Sequence, residues 1–304
     1  MPAGAARPDA YGRLIKPDVL ATLSNLELIA RTVVDGALMG LHRSPFFGFS
    51  QEFAEYRQYV EGDDPRFVDW NVYARTDRTY IKRFLGETNS HLMVLLDASA
   101  SMGYGSGSVS KFRYAQMLAA SLAYLASHQH DAVGMLVFDE KIRDFRAPSS
   151  RSGQLHAIIH AIDAAAPAHR TDLQHPFERF RDHVTRRGLV AVISDFYCDP
   201  EAMLQAVRPL AYQGQDVVLM QLLDPFELRP DIQASTLFED LETGEAIEVS
   251  PDFMRHEYRD KVQAHIAALR AAAVRAGADH LVFDTSQPLD EPLRQYLQFR
   301  QKRR

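Results

Sequence analysis

The chain has little of what supports a disulfide framework, a membrane helix or a nucleic-acid surface. Of its 304 residues one is a cysteine, Cys198, which excludes disulfide pairs within the chain and cysteine-based zinc clusters. The longest apolar runs, such as Leu92–Leu96 and Leu189–Ile193, fall far short of the roughly 18 residues that a membrane-spanning helix needs. With 34 Lys and Arg against 40 Asp and Glu, the formal net charge is −6, which argues against nucleic-acid binding.

The N-terminus also lacks the basic and then apolar pattern of a secretory signal peptide. Together with the short apolar runs and the single cysteine, this predicts a cytoplasmic protein without a membrane span. What is present is an ordinary globular composition, with 46% hydrophobic and 24% charged residues. A chain of this length and composition can bury a full core of its own.

Composition and apolar spacing divide the chain into four segments. We expect a flexible N-terminus over residues 1–16, and a helix over 17–41 in which large apolar residues recur at helical spacing. This helix and a charged, aromatic subdomain that ends in a strand at Thr79–Leu85 make up 17–89. A larger domain over 90–290 and a C-terminal helix with a basic tail over 291–304 complete the chain.

The larger domain alternates strands with helices. The continuous apolar run Leu92–Leu96 is typical of a strand that is buried on both faces of a parallel sheet. Strands at 132–138, 141–145, 189–194, 217–222 and 280–283, separated mostly by helices, predict an α/β protein with a doubly wound, mostly parallel, Rossmann-like sheet. An insertion over about 224–250 has two short strands around Gly244, which predicts a β-hairpin.

Polar side chains follow two strands of this predicted sheet. Asp97, Ser99 and Ser101 follow the first strand, Asp195 follows the strand at 189–194, and Thr171 lies on a loop between them. In an open α/β sheet, ligands bind at the carboxyl ends of the strands, where the strand order reverses. Two carboxylates and three hydroxyls form an all-oxygen shell, which suits Mg²⁺ (with Mn²⁺ as a substitute) better than Ca²⁺. Because hydroxyl ligands add no charge, such a metal can still accept an anionic group from outside.

These residues carry a resemblance to a known site. The pattern Asp-x-Ser-x-Ser-Met-Gly at 97–103, with the later threonine and the strand-terminal Ser194-Asp195, is similar to the metal-ion-dependent adhesion site of von Willebrand factor A domains. The resemblance implies a von Willebrand A-like fold. It also implies five metal ligands, some acting through water: Asp97, Ser99, Ser101, Thr171 and Asp195.

A wider set of motifs resembles one bacterial family, the domain-of-unknown-function family fifty-eight. The motifs are His42-Arg-Ser-Pro45, Gly62-Asp-Asp-x-Arg66, Asp69-Trp70, Ala74-Arg-Thr-Asp-Arg78, Asp224-Pro-x-Glu227 and the hairpin sequence Phe238-x-Asp-x-Glu-Thr-Gly-Glu245. Such proteins are typically encoded beside MoxR-type AAA+ ATPases. The resemblance therefore implies a non-enzymatic, Mg²⁺-dependent adaptor in chaperone-like assembly. Its partner, the ATPase or a client protein, would bind through a carboxylate that the metal bridges.

The main alternative is a Mg²⁺-dependent hydrolase or phosphotransferase that uses Asp97 and Asp195. A haloacid dehalogenase-like phosphatase would need a second carboxylate two residues after Asp97, where this chain has Ser99. The glycine-rich stretch 103–111 fails as a Walker A loop, because Ser110 and Phe112 stand where glycine and serine or threonine are required.

Plainer interpretations remain open for several of these residues. The polar residues at 97–101 also suit a turn that caps the helix beginning near Ser110, and Thr171 suits a helix cap. His156 and His160 lie four apart, but without a nearby acidic or cysteine partner in the sequence we expect them on an exposed helix face. The charged residues of 42–90 are expected mainly to pair with one another: Arg57, Asp63, Arg66, Asp69 and Arg75.

Overall fold

The computed structural model describes residues 16–23, 25–42, 52–60, 68–85, 91–183 and 186–302. The chain forms two compact units, one of residues 1–37 and 90–304 and the other of residues 38–89. Nearly all of the predicted flexible N-terminus lies outside the described residues, as do Asp63 and Arg66 of the predicted charged cluster.

The predicted N-terminal helix is divided into two, α1 (Pro17–Ala21) and α2 (Leu26–His42). The chain leaves the first helix at Thr22, whose hydroxyl donates a hydrogen bond to the carbonyl of Val19 at 2.6 Å. Asn25 then begins the second helix, because its side-chain oxygen accepts from the backbone N–H of Leu28 at 3.0 Å. Helical spacing continues across this break, which is why apolar periodicity alone does not reveal it.

The smaller unit contains an antiparallel pair of strands, β1 (Glu52–Gln58) and β2 (Tyr80–Leu85), with helix α3 (Trp70–Thr76) between them in sequence. The second strand lies where the sequence predicts one. Asp69 is buried, and its carboxylate accepts a hydrogen bond from the backbone of Val72 at 3.2 Å, so it stabilises the first turn of α3.

A six-stranded sheet forms the centre of the larger unit, and two further strands form a hairpin. The sheet order is β10-β7-β6-β3-β4-β5, and every neighbouring pair is parallel except β4 and β5. This confirms the predicted doubly wound, mostly parallel α/β fold. The strands are β3 (His91–Asp97), β4 (Ala132–Phe138), β5 (Ile142–Ser149), β6 (Leu189–Ser194), β7 (Asp216–Leu223), β8 (Thr236–Glu239), β9 (Ala246–Val249) and β10 (Asp279–Asp284).

Helices cover both faces of this sheet, and for that reason its central strands are continuous apolar runs. One face packs mainly against α4, whose residues are almost all buried, and the other forms an apolar cluster with α6, α7 and α9. The helices are α4 (Lys111–His128), α5 (Gln154–Ala164), α6 (Gln174–Arg181), α7 (Pro200–Tyr212), α8 (Pro225–Leu228), α9 (Arg259–Ala276) and α10 (Asp290–Lys302).

The strand order reverses between β3 and β6. From β3 the chain proceeds to β4 on one side, whereas from β6 it proceeds to β7 on the other. Leu96 of β3 lies opposite Ile193 of β6, so the two strands end side by side. Ligands of doubly wound sheets bind in the crevice at this reversal point, at the carboxyl ends of the strands.

The inserted hairpin forms a small sheet of its own. β8 and β9 pair antiparallel, with Thr236 opposite Val249 and Glu239 opposite Ala246. The base of the hairpin packs on a small apolar cluster in which the rings of Phe226 and Phe238 stack at a centroid distance of 6.2 Å. The predicted insertion is therefore a hairpin, and its two strands lie on either side of Gly244.

Candidate metal centre at the carboxyl ends of β3 and β6

Asp97 is the last residue of β3 and is fully buried. One of its carboxylate oxygens accepts a hydrogen bond from the hydroxyl of Ser194, the last residue of β6, at 2.6 Å. The other accepts from the backbone N–H of Ser99 at 2.8 Å. Two donors on two neighbouring elements therefore fix the orientation of this carboxylate.

The charge of Asp97 is poorly compensated. Burial, and then the nearby Asp195 carboxylate, raise the pKa of Asp97 to about 7. Within the part of the chain that the structure describes, no lysine or arginine forms an ion pair with Asp97. A buried carboxylate beside another carboxylate is a position that a cation would stabilise.

The two serines of the motif lie together beside Asp97. The hydroxyl oxygens of Ser99 and Ser101 are 3.1 Å apart, on the short 3₁₀ turn Ala100–Gly103 and the residue before it. They do not cap α4, because Ser110 accepts the capping hydrogen bond from the backbone of Arg113 at 3.1 Å. The interpretation of residues 97–101 as a helix-capping turn therefore loses its main support. The two hydroxyls lie instead next to a buried carboxylate.

Asp195, directly after β6, is also buried and pairs with a lysine that the sequence analysis did not select. Its carboxylate accepts from the Nζ of Lys111 at 2.8 Å, and the same Nζ lies 2.7 Å from an oxygen of Glu227. Burial opposes the charged form of Lys111, but the two carboxylates outweigh it and raise the pKa of the lysine. The lysine is therefore a fixed ammonium ion between two acids.

The motif Asp224-Pro-x-Glu227 positions the second of these acids. The backbone N–H of Asp224 donates to Glu227 at 2.7 Å, while the Asp224 carboxylate accepts from Phe226 at 2.8 Å, which forms a capping box on α8. The same carboxylate accepts from the backbone of Ser106 at 2.9 Å, so it also holds the glycine-rich loop. The signal for Glu227 was present in the sequence as this motif, but nothing in it indicated the lysine partner.

Thr171 lies on a loop that runs alongside the motif turn. The backbone of Ala168 donates to the carbonyl of Ala98 at 2.8 Å, and that of Ala100 donates to the carbonyl of His169 at 2.9 Å. The Thr171 hydroxyl, however, donates to Glu242 at the tip of the hairpin, at 2.8 Å. The structure thus groups Asp97, Ser99, Ser101 and Asp195 at the strand ends and places Thr171 on an adjoining loop, bonded to a carboxylate that sequence reasoning missed.

Other candidates are explained more simply. Burial, followed by the charges of Asp195, Asp97, Asp199 and Glu242, raises the pKa of Cys198 to about 12, so this thiol stays protonated at neutral pH. His156 is exposed, as expected, and its Nδ1 lies 3.2 Å from a carboxylate oxygen of Glu27. This acidic neighbour is distant in sequence, so the residues around His156 did not indicate it. Across the described ranges, no three His, Cys, Asp or Glu side chains group as metal ligands.

The donor set at the strand ends nevertheless fits Mg²⁺. All of its donors are oxygens, which is the ligand type that this ion prefers. The buried carboxylates of Asp97 and Asp195 and the partly buried carboxylate of Glu227 share the one ammonium of Lys111, so acids outnumber cations here. A divalent cation would offset this excess of acids, so the electrostatics and the donors agree.

Comparison with known proteins identifies the family. The model of the family described as "Protein of unknown function DUF58" matches residues 55–271. The chain belongs to this family. This DUF58 protein is also 29% identical over 281 residues to the uncharacterized protein Rv1480 of Mycobacterium tuberculosis (strain ATCC 25618 / H37Rv), a match that covers 90% of this chain and 87% of the relative.

Solved structures with a similar fold include von Willebrand A domains. The SpRpn10 VWA domain is 10% identical with a TM-score of 0.41, and the match covers 68% of this chain and 94% of that one. An aerotolerance-related membrane protein from Bacteroides fragilis NCTC 9343 is 17% identical with a TM-score of 0.47, covering 68% of this chain and 97% of that one. The strand order of the DUF58 protein confirms a von Willebrand A-like fold.

The same comparison contradicts the predicted cytoplasmic location, since the second of these proteins is described as a membrane protein. The prediction depended on the lengths of apolar runs, the N-terminal pattern and the single cysteine. None of these tests how else a protein is attached to a membrane. Among the helices that the structure describes, none is long and apolar enough to span a membrane.

Proposed function

We propose that this DUF58 protein is a non-enzymatic, Mg²⁺-dependent protein-interaction module that acts as an adaptor of a MoxR-type AAA+ ATPase in the chaperone-like assembly or maturation of client proteins. The observation that carries the proposal is the pair of buried carboxylates, Asp97 and Asp195, at the reversal point of the sheet with one ammonium ion between them and Glu227. Buried carboxylates that outnumber their cationic partners are costly unless a further cation binds there.

In this proposal the metal is held by four residues at the strand ends and by Thr171 on the adjoining loop. The four are Asp97, Ser99, Ser101 and Asp195. When bound, Mg²⁺ supplies an electrophilic position that accepts a carboxylate from the partner. The chain itself orients the donors, because Ser194 and the Ser99 backbone direct the Asp97 carboxylate and Lys111 holds that of Asp195. The partner would then be recognised through this bond between metal and carboxylate and through contacts with the protein surface around it.

The geometry favours binding over the alternative hydrolase or phosphotransferase. Lys111 is paired with two carboxylates and its pKa is raised, so it is unsuited to accept a proton. The Cys198 thiol is protonated at neutral pH and is a poor nucleophile in that form. Among the residues that the structure describes, the side chains that hydrogen-bond to Asp97 are those of Ser194 and Ser99, and they hold it in place.

Calorimetric titration with Mg²⁺ tests the metal centre. We expect wild-type protein to bind the ion, and Asp97→Ala to lose at least about 100-fold in affinity because a principal anionic ligand is removed. The fold should persist, since the substitution also removes the repulsion between two buried carboxylates. Glu140→Gln is the matched control, because this exposed acid follows β4 at the same edge of the sheet and should leave the affinity unchanged.

The affinity of the protein for its co-encoded ATPase, measured in Mg²⁺ and in EDTA, tests the adaptor role. We expect association to require the metal and to weaken sharply with EDTA and with Asp97→Ala. Equal affinities under both conditions would refute the metal bridge and favour docking through the 42–90 surface or the 236–249 hairpin. Turnover of phosphoesters or nucleotides by wild type, abolished by Asp97→Ala, would instead support the hydrolase.

A further inference from the structure

The hairpin between β8 and β9 brings a carboxylate to Thr171, one of the five predicted metal ligands. Both oxygens of Glu242 contact Thr171: one accepts from its hydroxyl at 2.8 Å and the other from its backbone N–H at 3.1 Å. Glu242 is half-buried, whereas the other residues from 239 to 248 are all exposed. The hairpin tip therefore contacts the body of the protein chiefly through this one side chain.

The turn at the tip is built to present Glu242. The carboxylate of Asp240 accepts from the backbone N–H groups of Glu242 and Thr243 at 2.7 and 2.9 Å, and these two bonds lower the pKa of Asp240. Gly244 closes the turn with a φ of 73°, a conformation that glycine adopts without strain. The family motif Phe238-x-Asp-x-Glu-Thr-Gly-Glu245 thus encodes a rigid turn with a glutamate at its apex.

Little else holds the tip in place. The side chains of Leu237, Leu241 and Ile247 are 68%, 52% and 66% exposed, so the arm of the hairpin buries little apolar surface. Beyond the two bonds to Thr171, the Nε of Arg170 donates to the carbonyl of Glu242 at 3.3 Å. The hairpin base is anchored by Phe238, and a fixed base with a weakly held tip allows the carboxylate to approach and to leave.

Electrostatics place Glu242 in the neighbourhood of the buried acids. Glu242 bonds Thr171, and the loop of Thr171 is joined to the motif turn by the bond from Ala100 to the carbonyl of His169. Besides burial, the charges of Asp195, Asp97, Asp199 and Glu242 all raise the pKa of Cys198. A carboxylate of this chain at the site carries the same charge as the carboxylate of a partner. One can therefore replace the other without a change in the net charge of the centre.

We propose that Glu242 is an intrachain carboxylate ligand of the metal centre, which occupies the position of the partner's carboxylate until the hairpin withdraws. This inference rests on the proposed function, since it needs a metal at Asp97 and Asp195. It gives the hairpin motif a role: the insertion covers the centre in the free protein and makes partner binding a replacement of one carboxylate by another.

The first test uses Mg²⁺ as the probe and compares wild type with Glu242→Gln. Glu245→Gln is the matched control, since this acid lies three residues along the same turn and is exposed. In wild type and control, Mg²⁺ should slow amide hydrogen exchange over residues 236–249 severalfold. In Glu242→Gln it should have no effect there, and the Mg²⁺ affinity should fall about tenfold, as for the loss of one supporting carboxylate.

The second test supplies the hairpin in trans as a synthetic peptide of residues 236–249, at saturating Mg²⁺. The peptide should bind Glu242→Gln protein about tenfold more tightly than wild type, because the tethered glutamate competes at a high effective concentration. A peptide carrying Glu242→Gln should bind neither protein.

The outcomes separate this inference from the proposed function. If wild type binds Mg²⁺ in the calorimeter but exchange over 236–249 is unchanged and the peptide does not distinguish the two proteins, the hairpin inference is overturned and the metal centre stands. If wild type binds no Mg²⁺, the proposed function fails, and the inference fails with it. Mg²⁺-dependent protection that Glu242→Gln alone abolishes supports both.

Discussion

The ends of β3 and β6 and the tip of the β8–β9 hairpin both present carboxylates, but they hold them in opposite ways. Asp97 and Asp195 are buried at the ends of central strands, where Ser194 and Lys111 fix and partly neutralise them. Glu242 stands on an exposed turn, and a local pair of backbone bonds to Asp240 orients it. The first arrangement fixes the position of the acids at a high cost of desolvation, whereas the second holds an acid near the surface by a few hydrogen bonds at little cost.

The difference teaches which region can act as the fixed part of a switch. Breaking a buried ion pair costs about 3–5 kcal/mol because the remaining charge stays buried without a partner. Exposed hydrogen bonds contribute about 0.5–1.5 kcal/mol each, since water replaces them. A centre that must keep its shape when a partner arrives therefore suits the strand ends, and a group that must leave suits the hairpin.

The largest effect that this comparison predicts is that of Lys111→Met. In EDTA the free energy of unfolding should fall by about 3–5 kcal/mol, because Asp195 and Glu227 would remain buried without their cation. Chemical denaturation measures it, with Lys141→Met, which changes an exposed lysine, as the control. Mg²⁺ should raise the free energy of unfolding more in Lys111→Met than in wild type. If the substitution lowers the free energy of unfolding in EDTA by less than about 1 kcal/mol, Lys111 is not the compensating charge.

Ser194→Ala should have an intermediate effect. It removes the hydrogen bond to the Asp97 carboxylate and leaves the backbone N–H of Phe196 without the acceptor that it now uses. We expect a loss of about 1.5–3 kcal/mol in stability and about tenfold in Mg²⁺ affinity, as for a residue that orients a metal ligand. Ser286→Ala, at an exposed turn, is the control. Unchanged metal affinity would mean that the orientation of Asp97 does not depend on β6.

The sequence predicted the sheet better than it predicted the site. The bounds of β4 and β6 agree with the strands predicted at 132–138 and 189–194, because buried strands carry a strong apolar pattern. The neighbouring positions of Asp97 and Asp195 followed from the same pattern, since parallel strands that end together bring the residues after them together. By contrast, β1 and α3 went unpredicted within the charged stretch 42–90, where apolar spacing is weak.

The contacts that complete the site were beyond reach because they join distant parts of the chain. Lys111 meets Asp195 across 84 residues and Glu227 across 116, and Thr171 meets Glu242 across 71. Periodicity reports only on local structure, and the lysine looked like the end of a failed nucleotide loop. Glu227 and Glu242 each stood in a recognised motif, which indicated that they matter but not which side chain each one touches.

Asp240→Ala has the smallest predicted effect on stability. It also tests most directly whether the hairpin tip is independent of the strand-end centre. The substitution removes the two bonds that shape the exposed turn, so the free energy of unfolding should change by no more than about 0.5 kcal/mol. With Mg²⁺ present, amide exchange at the hairpin tip should nevertheless be faster in Asp240→Ala than in wild type, because Glu242 would no longer be held in the orientation that reaches Thr171. Asp252→Ala, which changes an acid after the hairpin, should alter neither quantity. A large loss of global stability would show that the tip belongs to the cooperative core, and would remove the distinction between a fixed centre and a mobile carboxylate.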